Sequence, residues 1–221
     1  MSRPTIAVVI PAHPARATNG KLARAVQSVL SQQLLPDQIC VAIDHDGEGA
    51  AATRDRALRM ARTDLVAFLD SDDVFLPMHL RALLAHIEKT GADMVYSWFK
   101  IMQEFPGREP SILEDDPIFP MSHYLDEFDP EHPIETTITT MVDTRLAQQV
   151  GMRALDRGEV NSGEDRAFVM DVLAAGGTIK HLRRKTWLWS HHWLKAPTPG
   201  RNDGVMGNTS GLPSRGDAIT G

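Results

Sequence analysis

Buried-looking apolar runs alternate with stretches of helical amphipathic spacing over residues 5–99. Thr5 to Pro11 is rich in β-branched residues and reads as a buried strand stopped by Pro11. Asn19-Gly20 punctuates the chain. In Lys21 to Gln33, Leu22, Ala25, Val26, Val29 and Leu30 then fall on one helix face. Pro36-Asp37 marks a turn, Gln38 to Ile43 a second strand, Gly49 to Ala61 an Ala- and Arg-rich helix, and Leu65 to Leu69 a third strand. Pro77 fits the first turn of a helix reaching about Lys89; Gly91 closes it, and Met94 to Phe99 is a fourth strand.

Further on, Glu104 to Pro117 holds three prolines and several acids and reads as a loop. Thr136 to Thr140 is a strand candidate and Asp143 to Val150 a short helix. Gly163 to Ala175 is a helix closed by Gly176-Gly177, and Thr178 to His181 and Thr186 to Ser190 are short strands. From Lys195 the chain is rich in Pro, Gly, Asn and Ser, as in a flexible tail or a lid that orders on ligand.

Strand and helix in alternation predict an α/β domain with a mostly parallel central sheet flanked by helices. In such sheets ligands bind beyond the carboxyl ends of the strands, so the residues after each strand carry the chemistry.

Composition narrows the partners. With 221 residues, 42% of them hydrophobic, the chain can bury one ordinary core and keep a tail. The net charge of -6 disfavours nucleic acid, and the basic run Arg183-Arg184-Lys185 reads as a solvated strand end. The lone Cys40 excludes an internal disulfide, fits a reducing cytoplasm and reads as a small buried hydrophobe. The first apolar run is too short for a signal peptide, and no uncharged apolar stretch of about 18 residues occurs, so no integral membrane segment is expected.

The third strand runs directly into Asp70-Ser71-Asp72-Asp73. Carboxylates crowded at a strand end repel one another, and a divalent cation removes the conflict. Hard oxygen ligands suit Mg²⁺ or Mn²⁺, which accept one or two carboxylates together with substrate phosphates. Helix capping by Asp73 is the structural alternative. Asp44 and Asp46 follow the second strand and should face the same crevice, unless Asp44 merely forms an Asx turn before Gly47.

With these residues the sequence resembles the family-2 glycosyltransferases of the GT-A fold, over roughly residues 4–100 and again over 161–193. Ile6-Ala7-Val8-Val9-Ile10-Pro11 is similar to their opening strand, Asp44-His45-Asp46-Gly47 to the acidic turn that holds the base, and Leu69-Asp70-Ser71-Asp72-Asp73 to their DxD motif. Ala52-Thr53-Arg54-Asp55 resembles the Ala-Arg-Asn segment near the diphosphate; Asp55 replaces the Asn, so only Arg54 is carried over. The resemblance implies a single nucleotide-diphospho-sugar transferase domain over 1–194. Residues 1–100 form its nucleotide-binding half, 101–194 its acceptor and catalytic half, and 195–221 the tail. It implies a nucleotide-sugar donor, with a UDP-sugar favoured, that meets Pro11, Ala12, Asp44 or Asp46, Arg54, Asp70 and Ser71. Asp72 binds Mn²⁺ or Mg²⁺, and the acceptor is an unidentified glycan, lipid or protein.

Glu164-Asp165 opens a helix. The macrodipole alone favours acids there. By the resemblance Asp165 is the base of an inverting enzyme, with Glu164 beside it; transfer needs such a base because a hydroxyl is a poor nucleophile until its proton is taken. In Trp187-Leu188-Trp189-Ser190-His191-His192-Trp193 adjacent residues point to opposite strand faces, so one histidine at most joins the metal, with His191 preferred and packing among aromatics the alternative.

Other readings fit parts of the chain. Gly47-Glu48-Gly49-Ala50-Ala51-Ala52 fits the G-x-G-x-x-A outline of an NAD-dependent oxidoreductase, although Asp44 and Asp46 would repel a metal-free pyrophosphate. Asp70-x-Asp72-x-Val74 fits a DxD-type phosphatase, whose nucleophile however follows the first strand of its domain. A catalytically silent nucleotide-sugar-binding module is the third.

Overall fold

In the computed structural model, which describes residues 2–105, 107–113, 127–129, 139–153 and 163–192, one mixed sheet separates two helical layers. Its strands are β1 (Ile6–Ala12), β2 (Gln38–Ile43), β3 (Leu65–Phe68), β4 (Val74–Phe75), β5 (Met94–Glu104), β6 (Ser111–Leu113), β7 (Thr140–Asp143) and β8 (Ile179–His192). Their order is β2-β1-β3-β7-β5-β8-β4, with β6 beside β5. The helices are α1 (Pro14–Thr18), α2 (Lys21–Leu30), α3 (Ala50–Leu58), α4 (His79–Thr90), α5 (Thr144–Val150) and α6 (Glu164–Ala174).

Alternation along β1 decides the layers. Ile6, Val8 and Ile10 join α2 residues Ala25 and Val29 and α4 residues Leu80 and Leu83 in one core. Ala7 and Val9 join Leu58 of α3, Ala147 of α5 and Phe168 and Val172 of α6 in the other. Cys40 is fully buried in the second core, as a small hydrophobe would be.

The α/β expectation holds, but the sheet is mixed rather than mostly parallel in its pairings. β2, β1, β3, β5 and β8 run one way, and β7, β6 and β4 the other. Chain order cannot reveal that β7 enters antiparallel between β3 and β5. Both neighbours are buried there, and without β7 their facing N–H and C=O groups would be unpaired.

Pro11 does not stop β1, which continues to Ala12. The Val9 carbonyl faces β3 and accepts from Leu69, whereas the Ala12 carbonyl faces β2 and accepts from Asp44. Pro11 therefore turns its missing N–H toward β3, beyond the last pair of that ladder, Val9 with Phe68. The two expected C-terminal strands are one: Ser97 pairs with Leu182 but Trp98 with Lys185, so the exposed Arg183-Arg184 pair bulges from mid-strand rather than ending it. The fourth strand runs on past Phe99 to Glu104, and part of the expected Glu104–Pro117 loop is strand, since β6 pairs with β5. Residues 136–138 of the Thr-rich strand candidate and the tail from Lys195 lie outside the described residues.

A buried polar network anchors β4 and α4. Gln32 donates to the Leu76 carbonyl (2.8 Å) and accepts from the Leu80 amide (3.1 Å). His79, fully buried, stacks on Phe75 with ring centroids 3.9 Å apart and meets the Thr186 hydroxyl at 2.7 Å. Burial pushes its imidazole from the ordinary 6.5 down to about 3, against a ring N–H bond to the Thr186 backbone that favours the charged form.

This packing is open to test at two positions. At Gly177 an added Cβ would lie 2.8 Å from Leu146 Cδ2 and Val172 Cγ1 and 3.0 Å from the Val172 carbonyl. Gly177→Ala should lower unfolding stability by about 1–3 kcal/mol in a urea titration. For His79 the unfolded chain takes up a proton below pH 6.5 and the folded chain does not until about 3. Its contribution is therefore complete above 6.5 and is lost as pH falls through that window. The linkage amounts to about 2 kcal/mol between pH 7 and 5. Urea titrations at both pH values should show a stability loss smaller by that amount in His79→Gln.

Candidate active site

β1, β2 and β3 are parallel, so their carboxyl ends open on one edge of the sheet. A cleft of about 680 Å³ lies there. Pro11 and Ala12 of β1, Asp44 after β2, Arg54 of α3, Asp70 and Asp72 after β3, and Glu164 of α6 all line it. These residues, far apart in the chain, thus share one cleft, whereas Asp165 is not among its lining residues. Asp46 is exposed and outside the lining, and Ser71 is fully buried with an unpartnered hydroxyl.

Arg54 forms the centre of the site. The residue is 2% exposed, and the buried face of α3 carries it inward. Its Nη2 lies 2.8 Å from Asp70 Oδ1, and its Nη1 lies 3.3 Å from Glu164 Oε1 and 3.5 Å from Asp165 Oδ1. Burial works against the guanidinium charge, but Asp70, Asp165 and Glu164 together hold its pKa above the ordinary value. Arg54 therefore spans the strand-end acids and the first turn of α6. Asp55, the departure from the family pattern, is structural: its carboxylate accepts from the Met152 amide at 3.1 Å and from Arg59 at 2.7 Å.

The loop after β3 is fastened from several sides. Asp73 is 3% exposed and accepts the Ser190 amide of β8 at 2.8 Å, so it is a structural tie and not a ligand. The Asp72 carbonyl accepts from Arg24 of α2 at 3.0 Å and from the Ser190 hydroxyl. The Asp72 carboxylate stays on the cleft and meets Arg16 of α1 at 2.8 Å. Burial pushes the Asp72 carboxyl above its usual range, Arg16 pulls the other way, and Asp70 adds to the rise.

The sequence reading missed Arg16, Lys21, Arg24 and Glu104. Lys21 meets Glu104 at 2.8 Å, and Arg24 also pairs with it. Burial would raise the Glu104 carboxyl, but those two cations hold it below its usual value. The signal was present: Arg16 follows a strand whose carboxyl end faces the ligand edge, and Lys21 and Arg24 are one turn apart on the polar face of α2.

Asp44 combines its two readings. Its carboxylate accepts the Glu48 amide at 2.8 Å and the Gly49 amide at 3.0 Å, as an Asx-type turn does, and it also lines the cleft. Burial tends to raise its pKa, but amide hydrogen bonds from Gly49, Glu48 and Gly47 with the charge of Arg56 hold it below the usual value. This occupancy opposes the dinucleotide reading, because those glycine-loop amides are the ones a pyrophosphate would need.

The donor set suits a hard divalent cation. Among the described residues no three His, Cys, Asp or Glu side chains converge as a complete metal cage. Asp72 instead offers one partly buried carboxylate beside Asp70, with the Arg16 guanidinium as its counter-charge. Mg²⁺ and Mn²⁺ use such sites when substrate phosphates and water complete the shell. His191 is half-buried at the end of β8, 5.1 Å ring to ring from Trp189, and does not line the cleft. The His192 side chain and Trp193 lie outside the described residues.

An α/β sheet with acids from two strand ends over one cleft is the architecture of the GT-A glycosyltransferase fold. The family model described as Glycosyl transferase family 2 matches residues 43–151, the segment that holds Asp44, Arg54, Asp70 and Asp72. No curated protein sequence matches the chain. Among solved structures, S. aureus TarS 1–349 in complex with UDP-GlcNAc is similar, with a TM-score of 0.64 and 17% identity, over 86% of this chain and 60% of that one. The complex of the same TarS fragment with UDP has a TM-score of 0.60 and 17% identity, over 85% and 60%. The chain thus spans less than two thirds of those TarS fragments. Among the described residues no helix is long and apolar enough to cross a membrane.

Removing the central cation tests this geometry. Breaking a buried ion pair costs about 3–5 kcal/mol. The carboxylates around Arg54 are 32–38% exposed. Arg54→Met should therefore cost less, about 2 kcal/mol, by urea titration.

Proposed function

We propose that this chain is a metal-dependent, inverting glycosyltransferase that moves a sugar from a UDP-sugar to an acceptor hydroxyl. One observation carries the reading: Asp44, Asp70 and Asp72 from neighbouring strand ends and Glu164 of α6 line one cleft on a GT-A sheet. The TarS complexes with UDP-GlcNAc and UDP support the donor class.

Residues 1–100 supply the donor half. Pro11, Ala12 and Asp44 bound the nucleoside end of the cleft, and Asp70 meets the ribose. Residues 101–194 supply the acceptor half. Asp165, fixed 3.5 Å from Arg54, takes the acceptor's proton as the new bond to the anomeric carbon forms and the bond to the diphosphate oxygen breaks. Glu164 lines the cleft and shares Arg54 with Asp165. When bound at Asp72, Mn²⁺ or Mg²⁺ would neutralise the departing diphosphate. The acceptor is a glycan, lipid or protein, and the reaction belongs to the cytoplasm.

UDP with Mn²⁺ should raise the melting temperature, and NADH should not; ligand at about 100 times its Kd adds about 2.7 kcal/mol of stability. Stabilisation by NADH with no response to UDP and Mn²⁺ would sink the reading. Asp165→Asn should keep the UDP response and lose about 10²- to 10⁴-fold in transfer, followed over a panel of nucleotide sugars.

A further inference from the structure

Among the described residues three cations line the cleft, and they are held differently. Arg54 is enclosed by Asp70, Glu164 and Asp165. Lys21 is bound to Glu104. Arg16 reaches in from the rim and rests on Asp72, its Nη2 2.8 Å from Oδ2, with 40% of its side chain exposed against 12% for Asp72. Its helix α1 has five residues, none of them buried, so little packing resists its displacement.

We propose that Arg16 is an exchange cation that couples metal binding to diphosphate binding. The proposal rests on the reading of Asp72 as the metal carboxylate. In the ligand-free chain the guanidinium occupies the oxygen a divalent ion needs. A metal arriving alone must break that ion pair and leave Arg16 without its carboxylate. A metal arriving with a diphosphate exchanges one anion for another, because phosphate oxygens accept the guanidinium fork as well as a carboxylate does. Each ligand then raises the other's affinity by the same factor. Arg54 cannot perform this exchange, since its charge already holds the α6 acids in place.

The test is electron paramagnetic resonance of free Mn²⁺, titrated into wild type, Arg16→Gln and Asp72→Asn, alone and with UDP or inorganic pyrophosphate. Arg16 sits on a short helix with no buried residue, so the variant should fold, and circular dichroism checks this. An ion pair of this exposure is worth a few tenths to about 1 kcal/mol, so Arg16→Gln should bind Mn²⁺ alone about threefold more tightly. The gain in Mn²⁺ affinity on adding diphosphate should shrink by at least that factor, and Asp72→Asn should lose both effects. Unchanged or weaker Mn²⁺ binding in Arg16→Gln, or an unchanged diphosphate gain, overturns the proposal while a UDP response keeps the donor reading alive. Coupling of pyrophosphate but not UDP through Arg16 upholds the proposal and removes the nucleotide reading.

Discussion

A guanidinium enclosed by protein is the constraint on which this site depends. Arg54 at 2% exposure cannot be solvated by water, so carboxylates must surround it, and those carboxylates come from β3 and α6. The requirement works in both directions. Asp70, Glu164 and Asp165 would repel one another at this point without the cation between them. A donor-side acid and a candidate base, some 95 positions apart in the chain, are thereby held in one rigid frame. Catalysis by positioning needs such a frame, because a displaced base loses its reach to the hydroxyl.

A second set of contacts fixes the loop after β3. Asp73 takes the Ser190 amide, the Asp72 carbonyl takes Arg24 and Ser190, and Gln32 ties α2 to Leu76 and Leu80 on either side of the turn into α4. These bonds consume the backbone and the buried acid and leave Asp70 and Asp72 facing the cleft. Of the acids in Asp70-Ser71-Asp72-Asp73, one is thus spent on architecture so that the others stay available. That division follows from strand geometry: after β3 the chain must cross to β4 beside β8, and at the crossing Asp73 is the acid that meets the Ser190 amide.

Much of this was legible in the sequence because it rests on local period and local punctuation. Strands β1, β2 and β3 and helices α2, α3, α4 and α6 carry their signal in apolar spacing and in Gly91 and Gly176 at the helix ends. The acids after β2 and β3 were legible for the same reason, since a strand end in an α/β sheet names its own neighbourhood. What escaped was settled by non-local pairing. β6 and β7 are short, and their strand character comes from the edges of β5 and β3 that they complete. Arg183-Arg184 looked like a strand end because a bulge and a terminus have the same local composition; only the register against Trp98 separates them. Arg16 and Lys21 had a local signal in their positions, but their pairing with Asp72 and Glu104 did not, because each acquires its role from a partner in another element.

The charge inventory of the cleft limits what it can hold. Asp44, Asp70, Asp72 and Glu164 face Arg16, Lys21 and Arg54. Two of those cations are committed, Lys21 to Glu104 and Arg54 to Asp70 and the α6 acids. A diphosphate entering alone would therefore meet surplus negative charge with one exchangeable guanidinium among the described residues to offset it, and in a partly desolvated cleft that repulsion is stronger than in water. On the proposed reading an imported divalent cation would reverse the balance: it would satisfy Asp72, release Arg16 and present net positive charge to the phosphates. The surplus of acids that makes the cleft a poor site for a bare anion would then make it selective for an anion that arrives with its own metal, and this is how a metal-bound nucleotide sugar would differ electrostatically from a metal-free dinucleotide.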